Sequence, residues 1–185
     1  MTHKNTTENK PVAFYIYQNN LQDTVIKTPK GDIDKTYPES RFRHCHNVGL
    51  KMFYYALYRL GNSKMYAQEM YMLGLMHDAG YFFNADPFEH DRSMYEVLNR
   101  MASGYFRYAN ELRFHSKYQD KYDTPEMRLL YYADNTVDAH GNWVTYDGRI
   151  KDIEERHGKD SEVYKETAAI IEKCKEWGFD DTFGI

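Results

Sequence analysis

The stretch Leu73-Gly74-Leu75-Met76-His77-Asp78-Ala79-Gly80-Tyr81 constrains this chain most. An apolar helical run ends in a His-Asp pair, and a glycine follows at once. Ionisable groups at the buried end of a helix are costly unless something compensates them. A metal ion does so, because neutral imidazole and ionised carboxylate are both good ligands. The question is then whether other His, Asp or Glu residues stand on the core faces of other helices.

Hydrophobic periodicity answers it. From Ser40 to Leu60, His44, Val48, Met52 and Ala56 recur every four residues and share one helical face, and Gly61-Asn62 closes the run. His46 falls off that face and is expected at the rim. Between Ser63 and Ala79, Met70, Leu73, Gly74 and His77 share a face, with Gly74 admitting a close neighbour. Asp86-Pro87-Phe88-Glu89 reads as a helix start, and His90 heads the stripe Met94, Val97, Leu98, Met101, which Ser103-Gly104 ends. Tyr108, Leu112 and His115 share a face over 105–116. After Thr124-Pro125, Met127, Leu130, Tyr131 and Asp134 follow at helical spacing, while Tyr132 and Ala133 take other faces. Trp143 to Tyr146 looks extended, between a turn at His140-Gly141-Asn142 and a second at Asp147-Gly148. A short helix is expected over 149–156, and a last one from Asp160-Ser161 to Gly178. Strand patterns are few, so an all-α bundle of six or seven helices is expected.

The chain has 185 residues, enough for one domain with a sizeable core. Residues 1–40 read as an N-terminal tail and appendage, with a turn at Thr28-Pro29-Lys30-Gly31-Asp32; 41–178 form the main domain, and 179–185 a loose C-terminal tail. The 42% hydrophobic and 16% aromatic content argues against disorder. A net charge of −4 leaves no basic footprint for extended nucleic acid. Two cysteines, Cys45 and Cys174, without a disulfide-scaffold pattern, point to reduced thiols and a cytoplasmic setting. Met1 to Lys10 lacks an apolar signal core, and no run is long enough to span a membrane. The sequence is silent on oligomeric state.

Six residues thus occupy core-facing positions on consecutive helices: His44, His77, Asp78, His90, His115 and Asp134. Each alone reads as an ordinary hydrogen-bonded core or cap residue. Jointly, in the order H…HD…H…H…D, they point to a metal site.

With these residues the sequence resembles the HD-domain superfamily. The resemblance rests on Arg41-Phe42-Arg43-His44, on Gly74-Leu75-Met76-His77-Asp78-Ala79-Gly80, on Glu89-His90, on His115 and on Tyr132-Ala133-Asp134. A following run of Val137-Asp138, Gly141, Val144, Arg149, Asp152-Ile153 and Arg156-His157-Gly158 is similar to that of small bacterial HD-domain proteins presumed to be hydrolases. The resemblance implies one metal held by His44, His77, Asp78 and Asp134, with Asp78 bridging to a second held by His90 and His115. The ions would be divalent transition metals such as Mn, Fe, Co, Ni or Zn. It implies a phosphohydrolase cleaving a phosphoester or phosphoanhydride of a small molecule, a nucleotide for preference, by attack of a metal-bound hydroxide, with His77 and Asp78 at its catalytic centre.

The chain departs from the pattern twice. Tyr81 stands where many superfamily hydrolases carry lysine, and Cys45 where serine commonly follows the first histidine. Phosphate binding then falls to other cations: Arg41, one turn before His44, and Lys117, beside His115, with Arg92 and Arg113 reading as solvated faces and Asp138 as structural. Two other functions compete with this one. An HD-fold di-iron oxygenase uses the same six residues, and a non-catalytic HD fold would bind without turnover.

Overall fold

The computed structural model describes residues 26–28, 31–33, 39–82, 89–101 and 107–185. The expected N-terminal tail, the helix start at Asp86-Pro87 and the stop at Ser103-Gly104 lie outside them. The chain divides into two units, Met1–Thr36 and Tyr37–Ile185. The first contains a hairpin in which β1 (Ile26–Thr28) pairs antiparallel with β2 (Gly31–Ile33), Thr28 opposite Gly31. Pro29 and Lys30 of the expected turn lie outside the described residues.

The second unit is all-α, with seven α-helices among the described residues: α1 (Glu39–Tyr54), α2 (Lys64–Met76), α3 (His90–Met101), α4 (Ala109–Phe114), α5 (Pro125–Asp134), α6 (Tyr146–His157) and α7 (Glu162–Glu176). No helix among the described residues is long and apolar enough to cross a membrane. The stripe of α1 is buried as its spacing requires, with Val48, Met52 and Ala56 fully inaccessible. A π-helical turn, Tyr55–Arg59, extends α1 to the stop at Gly61, whose φ is 66°. The helices α1 and α2 meet backbone to backbone: a Cβ on Gly74 would lie 2.7 Å from the Gly49 Cα. Any side chain there would push the two helices apart, and with them His44 and His77.

Helix α5 is central. Thr124 caps it by accepting from the Met127 amide, and Pro125 opens its first turn. Met127, Leu129, Leu130, Tyr131, Tyr132 and Ala133 are all buried, so the faces that Tyr132 and Ala133 occupy are core faces too. Burial of five successive residues, Leu129 to Ala133, places this helix in the middle of the domain.

Two local expectations change. The Asp147-Gly148 turn is the first turn of α6, which starts three residues before Arg149, because the Thr145 hydroxyl accepts from the Gly148 amide and caps the helix. The C-terminal residues are not loose. After Gly178, at φ 77°, the chain turns back and Phe179 stacks on Tyr132 with ring centroids 4.8 Å apart. Phe183 meets the edge of Tyr55, the Tyr132 hydroxyl donates to the Asp180 carbonyl, and the Tyr146 amide donates to the Asp181 carboxylate.

Candidate metal centre

The site is assembled from helix ends. His77 directly follows α2, His115 directly follows α4, and His90 is the first residue of α3. The last carbonyls of a helix have no intrahelical partner. The His77 Nδ1–H donates to the Gly74 carbonyl at 2.7 Å, and the His115 Nδ1–H donates to the Leu112 carbonyl at 2.9 Å. His44, within α1, donates from Nδ1 to the Asp138 carbonyl at 2.9 Å. A carbonyl oxygen only accepts, so the proton of each neutral ring is assigned to Nδ1 and the Nε2 lone pair faces inward. This is the tautomer a metal ion takes.

The inward atoms converge on two carboxylates. Asp78 Oδ1 lies 3.1 Å from His90 Nε2, 3.5 Å from His115 Nε2 and 3.6 Å from His77 Nε2. Asp134 Oδ1 lies 3.0 Å from His44 Nε2 and 3.6 Å from His77 Nε2. The His77 Nε2 is buried with no hydrogen-bond partner, and an orphaned polar atom at such a convergence fits a cation between the rings. Ligand atoms of His44, His77 and Asp134 lie within 4.8 Å of one another, and so do those of Asp78, His90 and His115. All six residues expected from the sequence are therefore brought together, and they could hold a metal ion. Cys45 joins a third such group with His77 and Asp78.

Electrostatics match the geometry. Burial would raise the Asp78 carboxyl, but His77 and Arg41 outweigh it and hold it well below the usual carboxylate range. Burial opposes ionisation of Asp134 as well, yet His44, His77 and Arg149 keep it well below that range. Burial lowers the His77 imidazole, but Asp78 and Asp134 more than offset this and raise it to about 9. The two carboxylates are thus held ionised beside the imidazoles.

Each aspartate has an arginine beside it. Arg41 donates from Nη1 to Asp78 Oδ2, and its guanidinium lies 4.2 Å from the centroid of the Tyr81 ring. Tyr81 in turn stacks on His90, centroids 3.9 Å apart and planes within 12°. Arg149 Nη2 lies 3.7 Å from Asp134 Oδ1. The positive charge that Tyr81 cannot carry is present beside its ring, on Arg41.

A cavity of about 240 Å3 opens over the cluster and is lined by Arg41, His44, Asp78, His90, His115 and Asp134, and also by Arg149, Arg156 and Glu166. Lys117 lines a separate cavity with Arg92 and Arg113, and its ammonium donates to Glu166's neighbour on the same helix face, Glu162, at 2.6 Å. Arg149 and Arg156 were not among the site residues expected from sequence. With Asp152 and Ile153 they occupy i, i+3, i+4 and i+7 of α6, a spacing that marks one face. His46, expected at the rim, is half-buried, with its Nδ1 2.9 Å from the Tyr71 hydroxyl.

No protein-family model, curated protein or solved structure matches this chain.

Proposed function

We propose that the protein is a metal-dependent phosphohydrolase of the HD type, acting on a phosphoester or phosphoanhydride of a small molecule such as a nucleotide. The observation that carries this reading is the set of three imidazoles turned inward by backbone carbonyls onto Asp78 and Asp134, in a cavity that also holds arginines. His44, His77 and Asp134 would hold one divalent ion and His90 and His115 a second, with Asp78 between them. Such ions supply an activated water at neutral pH and positive charge for phosphoryl oxygens.

The chain's own part is to orient and to neutralise. The carbonyls of Gly74, Leu112 and Asp138 fix three rings, so little reorganisation is needed on binding. Arg41 steadies Asp78 while lining the cavity, where its guanidinium meets an anionic substrate. Six nitrogen and oxygen donors suit Mn, Fe, Co, Ni or Zn better than Mg, which favours oxygen.

Metal analysis of protein purified without chelator, with phosphate release from nucleotides and generic phosphoesters measured under Mn and Fe, tests the proposal. Bound metal with metal-dependent phosphate release is expected. Absence of metal after reloading overturns it. Bound iron with oxygen consumption and no hydrolysis replaces it with oxygenase chemistry.

A further inference from the structure

Asp152 on α6 holds two guanidiniums. It accepts from Arg149 Nη1 at 3.0 Å, and from Arg156 Nε at 3.0 Å and Nη2 at 2.8 Å. Half-burial would raise the Asp152 carboxyl, but Arg156 and Arg149 outweigh it and hold it below the usual carboxylate range. Asp152 therefore gathers both guanidiniums, and Arg149 also lies 3.7 Å from Asp134 Oδ1. Arg149 is only 8% exposed, and its Nε is buried without a hydrogen-bond partner. Arg149 lines the cavity over the cluster, where its positive charge would meet an anionic group. Arg156, which is more exposed, lines the same cavity and adds a second positive charge there, its Nε and Nη2 being turned to Asp152.

We propose that Arg149 and Arg156 form a second anion subsite, so that the substrate carries a further anionic group, such as a second phosphate, besides the one at the metal cluster. This rests on the phosphohydrolase reading. Arginine forks bind phosphate oxygens in pairs, and the pre-set arrangement on Asp152 lowers the cost of ordering them. Val163, Ile153 and Ile170 give the cavity an apolar wall, and Glu166 adds a carboxylate that would repel a misplaced anion.

The test is calorimetric binding of two non-hydrolysable probes, methylphosphonate and methylenebisphosphonate, to manganese-loaded protein whose metal content is measured in the same sample. The wild-type protein is expected to bind the bisphosphonate at least roughly tenfold more tightly. In Arg156→Met, a residue that touches none of the six candidate ligands, that advantage should shrink to about twofold, with methylphosphonate affinity and metal content unchanged. An advantage that persists in Arg156→Met means that the metals alone hold both phosphonates, and overturns the subsite. Equal affinity for the two probes in metal-loaded wild type overturns the subsite and leaves the hydrolase reading standing. Failure to load metal removes both.

Discussion

The carbonyl oxygen of His90 occupies the place a side chain at position 80 would need: a Cβ on Gly80 would lie 1.6 Å from it. Gly80 is therefore the point at which the short 3-10 turn after the His-Asp pair lets α3 close on the site. It brings the His90 ring to within 3.1 Å of Asp78.

Gly80→Ala is expected to force the start of α3 away, destabilising the fold by about 1–3 kcal/mol. His90 should leave the cluster with it. Metal content by elemental analysis should fall, as in His90→Ala, while the far-ultraviolet circular dichroism stays helical. A variant with full metal content and wild-type melting temperature would contradict the contact.

His77→Ala and Asp78→Ala should abolish metal loading, because each residue faces both halves of the cluster. His90→Ala should lower stoichiometry toward a single ion, since His44, His77 and Asp134 remain. The measurement is metal per chain on folded protein. Unchanged stoichiometry in His90→Ala would mean that one ion, or another ligand set, serves the site.

Asp138 acts through His44 rather than as a ligand itself. Its carboxylate accepts from the His140 and Asn142 amides and from the Asn142 side chain, and so holds the turn whose carbonyl receives the His44 Nδ1–H. Asp138→Ala should weaken metal binding by about 10–100-fold without removing a ligand. Competition against a chromogenic chelator reads this directly, and undiminished affinity would assign the orientation of His44 to other contacts.

Lys51 gives the pH dependence. It is fully buried, donates to the Thr136 carbonyl at 3.3 Å and lies over the Tyr132 and Trp143 rings. Burial lowers its ammonium to about 8, against opposition from Asp181 and Asp180. Between pH 8 and 10 the unfolded chain still binds this proton and the folded chain does not, so stability rises with pH across that window. The gain is about 2–3 kcal/mol at its fullest. Denaturant titrations of wild type and Lys51→Met should therefore diverge from pH 8 to 10, wild type gaining on the variant. Parallel curves would mean that Lys51 stays charged when folded.

The candidate ligands are legible because they stand on core faces, and core faces have a period. His44 rides with Val48, Met52 and Ala56, and Asp134 with Met127, Leu130 and Tyr131; the structure brings His44 and Asp134 together with His77. The arginine pair is less legible: the run holding Arg149, Asp152 and Arg156 carries a resemblance but assigns them no role, and only tertiary packing turns that face of α6 into a cavity wall. The start of α6 was misread because Asp147-Gly148 favours a turn locally, while Thr145 had the capping role. The C-terminal segment was read as loose because it is short and follows a helix stop; its anchors, Phe179 and Phe183, find partners on α5 and on the π-helical turn, far away in sequence.

The carbonyls that aim His44, His77 and His115 belong to the main chain of residues 138, 74 and 112. A main-chain carbonyl is present whatever side chain stands beside it. The aim of these rings therefore depends on the path of the backbone and leaves position 112 free to change among residues that fill the same core space. Position 74 is different, because the crossing of α1 and α2 admits only glycine there. A chain built this way can alter much of its lettering around the centre and keep the same arrangement of nitrogen atoms.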